Sequence, residues 1–124
     1  MVSSIYLILN GEPKSTQNVY KMTCRGRFAS MYMSKVGKDL KKSYVKQIGE
    51  QYTAKPLTNH LKMTLVIFFG TKRKSDWDNF NKLVCDALTG LVYEDDSQIM
   101  DGRVIKNYDK VNPRIEVEIQ NLHA

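Results

Sequence analysis

Residues 74–99 read KSDWDNFNKLVCDALTGLVYEDDSQI. Phe80, Leu83, Val84, Ala87, Leu88 and Leu91 recur at intervals of three and four, which gathers them on one face of a helix. Asp78, Lys82 and Asp86 are spaced by four and form a polar stripe on the opposite side. Gly90 follows Thr89 as a residue able to take the left-handed backbone that ends a helix. The spacing predicts an amphipathic helix of about 12 residues, about 18 Å long. The pair Asp95-Asp96 then begins at the far end, and the next strand must run back along the helix or across its start.

Two readings of the helix start are open. A helix beginning at Ser75 would make Ser75 and Asp78 a capping box, with acids placed to suit the helix dipole. If residues 76–78 are extended instead, Asp76 and Asp78 point the same way. Two adjacent carboxylates repel unless a cation sits between them, and Mg²⁺ is a hard ion that prefers oxygen ligands. Spacing alone does not bring Asp95 or Asp96 to that pair.

Outward from this centre, Leu61–Phe69 (LKMTLVIFF) alternates with Leu61, Met63, Leu65, Ile67 and Phe69 on one face. Val66 and Phe68 make its second half apolar on both faces, which predicts a central strand ended by Gly70. Ser34–Tyr52 reads as a helix with Ser34 as N-cap and Val36, Leu40, Tyr44, Val45, Ile48 and Tyr52 at helical spacing. Gly37 and Gly49 weaken it by up to about 1 kcal/mol each. Lys35, Lys38, Lys41, Lys42 and Lys46 fill its other faces, as a solvated surface or as a contact for phosphates.

Ser4–Asn10 predicts a first strand, since no charged segment precedes its short apolar run as in a signal peptide. Residues 14–30 predict a loop and one or two short strands turning at Gly26. Residues 98–108 predict a strand with a bulge or kink at Gly102, and 109–113 a turn. Ile115, Val117 and Ile119 then mark a last strand antiparallel to its predecessor, with one face buried. The sum is an α+β domain spanning residues 1–124, with a mixed, mostly antiparallel sheet and two main helices.

Composition narrows the function. No apolar run reaches the roughly 18–20 residues that cross a bilayer, so no membrane partner is expected. Cys24 and Cys85 form no CxxC pair and suit a reduced, cytoplasmic setting. The net charge is +6. Residues 1–60 carry ten Lys/Arg against three acids, and residues 61–124 nine against ten. A basic half beside an acidic cluster suits a phosphate-backbone binder with a cation site. Lys14, Lys21, Arg25 and Arg27 are interleaved with Tyr20 and Phe28, which fits phosphate contact and base stacking, or an ordinary hairpin with its aromatics in the core. Lys72, Arg73 and Lys74 form a second basic loop leading into the aspartates. His60 and His123 have no partners at metal or nucleophile spacing, and Trp77 reads as a core anchor.

The order of residues from Asp76 to Gln98, D-x-D-N-x-x-K-x-x-x-D-A-L, a short turn, then D-D-x-Q, resembles the RusA-type Holliday junction resolvases (crossover junction endodeoxyribonucleases). The resemblance is dense over about 25 residues, whereas the N-terminal half, with GEPKS at residues 11–15, agrees only in outline. It implies that Asp76 and Asp78 are the paired catalytic carboxylates, that Asp96 is the third metal-site carboxylate with Asp95 beside it as a further metal ligand or only a neighbour, and that Lys82 is catalytic. Asn79 and Asp86 match supporting positions. It further implies a homodimer that cuts four-way junctions with Mg²⁺, or Mn²⁺ in its place, by paired symmetrical nicks. No small-molecule cofactor is expected, and the setting is recombination or repair in a bacterial cell or phage-infected host. The alternatives are a nuclease for other branched or flapped DNA and a non-catalytic junction-binding protein.

Overall fold

A computed structural model describes residues 4–15, 19–26, 28–72 and 80–122, with the backbone alone at 23–25 and 28–30. In chain order these form β1 (Ser4–Asn10), β2 (Tyr20–Arg25), β3 (Phe28–Met33), α1 (Lys35–Gln51), β4 (Leu61–Phe69), α2 (Asn81–Leu88), a 3-10 turn (Asp96–Gln98), β5 (Ile99–Tyr108) and β6 (Arg114–Asn121). The expected α+β class holds: a four-stranded mixed sheet, a separate β2–β3 hairpin and two α-helices among the described residues.

The sheet order is β1-β6-β4-β5. β4 lies inside the sheet because both its edges are paired, antiparallel with β6 and parallel with β5. A parallel neighbour needs a crossover longer than a hairpin, and α2 lies within the connection from β4 to β5. The last strand therefore runs antiparallel to β5 as expected, but β4 stands between the two. The register irregularity of β5 falls at Met100, between the pairs Leu61–Ile99 and Lys62–Asp101, and not at Gly102.

Period-two burial makes one apolar face. Leu7 and Leu9 of β1, the five odd-numbered residues of β4, and Ile115, Val117 and Ile119 of β6 are buried. Tyr44 and Ile48 of α1 and Leu83, Val84, Ala87 and Leu88 of α2 complete the same core, so both helices cover one face. The other face presents Tyr6, Ile8, Thr64, Val66, Glu116 and Glu118.

In α1 the Ser34 hydroxyl accepts a hydrogen bond from the Gly37 amide at 3.1 Å, as its N-cap role requires. The packed side is narrower than the spacing suggested. Val36 and Val45 are 50% and 37% exposed, while Gly37, Tyr44 and Ile48 are buried. Gly37 is where another segment passes close: a Cβ there would stand 2.6 Å from the Val19 carbonyl oxygen and 2.7 Å from Met33 Cγ.

Candidate functional site

The central helix is entered through Phe80, whose buried ring meets Phe69 edge-on, with centroids 5.0 Å apart. This joins the start of α2 to the end of β4. The helix has eight residues, about 12 Å, and not the longer span expected. Leu91 lies in the turn that follows it. Asp76, Asp78 and Asn79 lie outside the described residues, as do Arg27, Arg73, Lys74, Trp77 and His123.

Beyond α2 the chain folds back on the helix end. Gly90 has φ +85° as expected of a helix-ending glycine. Its amide donates to the Tyr93 carbonyl at 2.7 Å. Buried Tyr93 donates its hydroxyl to the Cys85 carbonyl at 3.1 Å. Burial pushes the Tyr93 hydroxyl and the Cys85 thiol above their ordinary pKa values, so neither is ionised near neutrality.

The two aspartates of the acidic pair have different surroundings. The Asp95 carboxylate accepts from the Ser97 amide at 3.1 Å and caps the 3-10 turn, and hydrogen bonding from the Ser97 side chain, then from its amide, holds it below the usual carboxylate range. Gln98 closes the capping box: its Oε1 accepts from the amides of Glu94 and Asp95, both at 2.9 Å. Its Nε2 donates to the carbonyls of Leu57 and Asn59, both at 2.9 Å, which moors the turn to the loop before β4. Asp96 lies on another wall. With Asn81, Cys85 and Arg103 it lines an open concavity of about 330 Å³ over Met63 and Leu65. Asn81 is the first residue of α2, three positions after Asp78. The fold thus brings the acidic turn to the helix start, which sequence spacing left open. Among the described residues there is no cluster of three or more Asp, Glu, His or Cys able to hold a metal.

Lys82 and Asp86 make the i,i+4 contact that the stripe allowed, with Lys82 Nζ 3.8 Å from Asp86 Oδ2. The same ammonium lies 5.0 Å from the centre of the Tyr20 ring, and the Tyr20 hydroxyl donates to the same Asp86 oxygen. Burial and then Asp86 push the Tyr20 hydroxyl well above its ordinary pKa. The sequence suits Tyr20 to base stacking or to the core. It packs partly against the core and turns its hydroxyl to Asp86 of α2, and the trace of that second contact in the sequence is its place beside Lys21 in a basic, aromatic strand.

The described basic candidates form two groups. Lys14 and Lys21 share a concavity of about 350 Å³ with Lys35. Lys35 also begins a larger groove of about 660 Å³, along which Lys38, Lys41, Lys42 and Lys46 of α1 are set. Lys72 stands 5.4 Å over the Tyr108 ring and shares a third hollow with Lys106. Arg25 is described by its backbone alone.

The family model described as Endodeoxyribonuclease RusA matches residues 10–120, nearly the whole chain. The uncharacterized protein YqaN of Bacillus subtilis (strain 168) is 49% identical over 51 residues, which are 41% of this chain. That stretch covers 35% of YqaN, about a third of its length.

Proposed function

This chain belongs to the RusA endodeoxyribonuclease family, and we propose that it is a Mg²⁺-dependent, structure-selective endonuclease that resolves four-way DNA junctions by paired symmetrical nicks. The observation that carries the reading is the family match over residues 10–120, which takes in the whole acidic motif. In this reading it acts as a homodimer in the cytoplasm, in recombination or repair of phage or prophage DNA, because two symmetrical cuts require two sites related by symmetry.

The donor chemistry fits the cation. Asp96 offers carboxylate oxygen to an open concavity, while the Cys85 thiol on the same wall stays protonated. Hard oxygen donors suit Mg²⁺, with Mn²⁺ able to replace it. Asp76, Asp78 and Asp96 would hold the ion, while Asp95 caps its turn and Asn79 supports the first pair. When bound, the cation neutralises phosphate charge and makes a water nucleophilic near neutral pH.

The remaining work belongs to the chain. Lys82, half-exposed, brings its ammonium to the scissile phosphate and stabilises the charge that develops on the leaving oxygen. Lys14, Lys21 and Lys35 bind backbone phosphates of the junction arms, with Lys72 and the basic residues Arg25, Arg27, Arg73 and Lys74 as further contacts.

The test is cleavage of a labelled synthetic four-way junction with and without Mg²⁺, with linear duplex and the Asp78→Asn protein alongside. Paired symmetrical nicks from the unaltered protein with Mg²⁺ only are the expected result. Binding without cutting would move the protein to the architectural class. Equal cutting of flaps or plain duplex would overturn the junction assignment.

A further inference from the structure

Two groups from distant segments converge on one carboxylate oxygen. Tyr20 of β2 donates its hydroxyl to Asp86 Oδ2. Lys82 Nζ stands 3.8 Å from that same oxygen and 5.0 Å from the Tyr20 ring centre. The lysine is held loosely: elsewhere in this protein the Arg114–Asp109 pair closes to 2.8 Å. One carboxylate oxygen shared between a hydroxyl and an ammonium attracts the ammonium less than a free one. The ring face meanwhile offers the cation a second, softer attraction.

We propose that Tyr20 is a positioning residue for Lys82. By donating to Asp86 it keeps that carboxylate from drawing the lysine into a closed ion pair, and so leaves the ammonium free to reach a phosphate. The proposal rests on the nuclease reading given above.

Tyr20 is itself fixed from behind. Val19 is fully buried, its carbonyl accepts from the Ser34 amide at 2.7 Å, and it packs against Gly37. Tyr20 also pairs across the hairpin with Met33. The next residue, Lys21, points to the other side of the strand, into the concavity with Lys14 and Lys35. One strand thus offers a cation to DNA on one side and sets the catalytic lysine on the other.

The experiment compares Tyr20→Phe, Asp86→Asn, the double variant and Lys82→Ala in steady-state junction cleavage with Mg²⁺, with melting curves for each. Tyr20→Phe keeps the ring and removes the hydroxyl. It is expected to lower kcat roughly tenfold, the scale of one hydrogen bond, with KM and Tm nearly unchanged. Asp86→Asn in the Tyr20→Phe background is expected to restore most of that loss, because no carboxylate remains to capture the lysine. An unchanged kcat in Tyr20→Phe overturns the proposal. So do additive losses in the double variant, or a loss that travels with Tm and KM. If the unaltered protein cuts and Lys82→Ala does not, while Tyr20→Phe is normal, this proposal alone fails. An active Lys82→Ala removes the lysine's role and this proposal with it. If the unaltered protein cuts no branched DNA, the nuclease reading fails and this proposal falls too.

Discussion

The Asp95 carboxylate accepts the Ser97 amide hydrogen at 3.1 Å, while its neighbour Asp96 lines the concavity that holds Asn81. Two identical side chains, adjacent in sequence, therefore have different surroundings. Asn caps a helical turn nearly as well as Asp, so Asp95→Asn is expected to keep most cleavage activity and its melting temperature. Asp96→Asn is expected to lose roughly 100-fold or more in rate, the scale of removing a charge-stabilising group. Equal losses in the two variants, measured at saturating Mg²⁺, would show that the capping geometry does not separate their roles.

Gln98 satisfies four backbone groups from two segments. Most of these bonds are solvent-accessible, so the expected cost of Gln98→Ala is about 1–2 kcal/mol and not the sum of four buried bonds. Because the same side chain moors the turn that carries Asp96, cleavage is expected to fall with stability. Urea melts and single-turnover rates check both, and a fully stable, fully active variant would remove Gln98 from the account.

Gly37 and Gly49 lie in one helix and carry the same propensity penalty, yet their surroundings differ. A Cβ at Gly49 meets nothing within 4 Å, so Gly49→Ala is expected to stabilise by up to about 1 kcal/mol. A Cβ at Gly37 would meet the Val19 backbone oxygen at 2.6 Å. Gly37→Ala is expected to destabilise by about 1–3 kcal/mol, as overpacking does. It should also disturb Tyr20, the residue after Val19. Opposite signs in two thermal melts are the result to look for.

Asp109 accepts from Arg114 at 2.8 Å, which holds its carboxyl below the usual carboxylate range. A carboxylate depressed in the folded state stabilises above its unfolded pKa, about 3.9, and that contribution is lost as pH falls through the lower folded value. The gap in Tm between the unaltered protein and Asp109→Asn is expected to be steady from neutrality down to about pH 5, and to shrink below about pH 4. A gap that widened on acidification would contradict the assignment of this ion pair.

Periodicity carried the fold class, because helix and strand repeats depend on residues near one another in the chain. The alternation of Leu61 to Phe69 foretold a buried strand, Gly90 the end of the central helix, and Ser34 the cap of the lysine-rich one. The ordered aspartates and Lys82 likewise announced the family. Three-dimensional packing decided the rest. That β4 separates β5 from β6 depends on a crossover whose pairing no local pattern encodes. That Asp96 and not Asp95 lines the concavity with Asn81 follows from Gln98 reaching carbonyls 39 and 41 residues away. That Tyr20 shares an oxygen with Lys82 is a contact across 66 residues from Tyr20 to Asp86. Chain-local rules specify which face a residue takes on its own element, but the partner it meets there is set by how the elements pack.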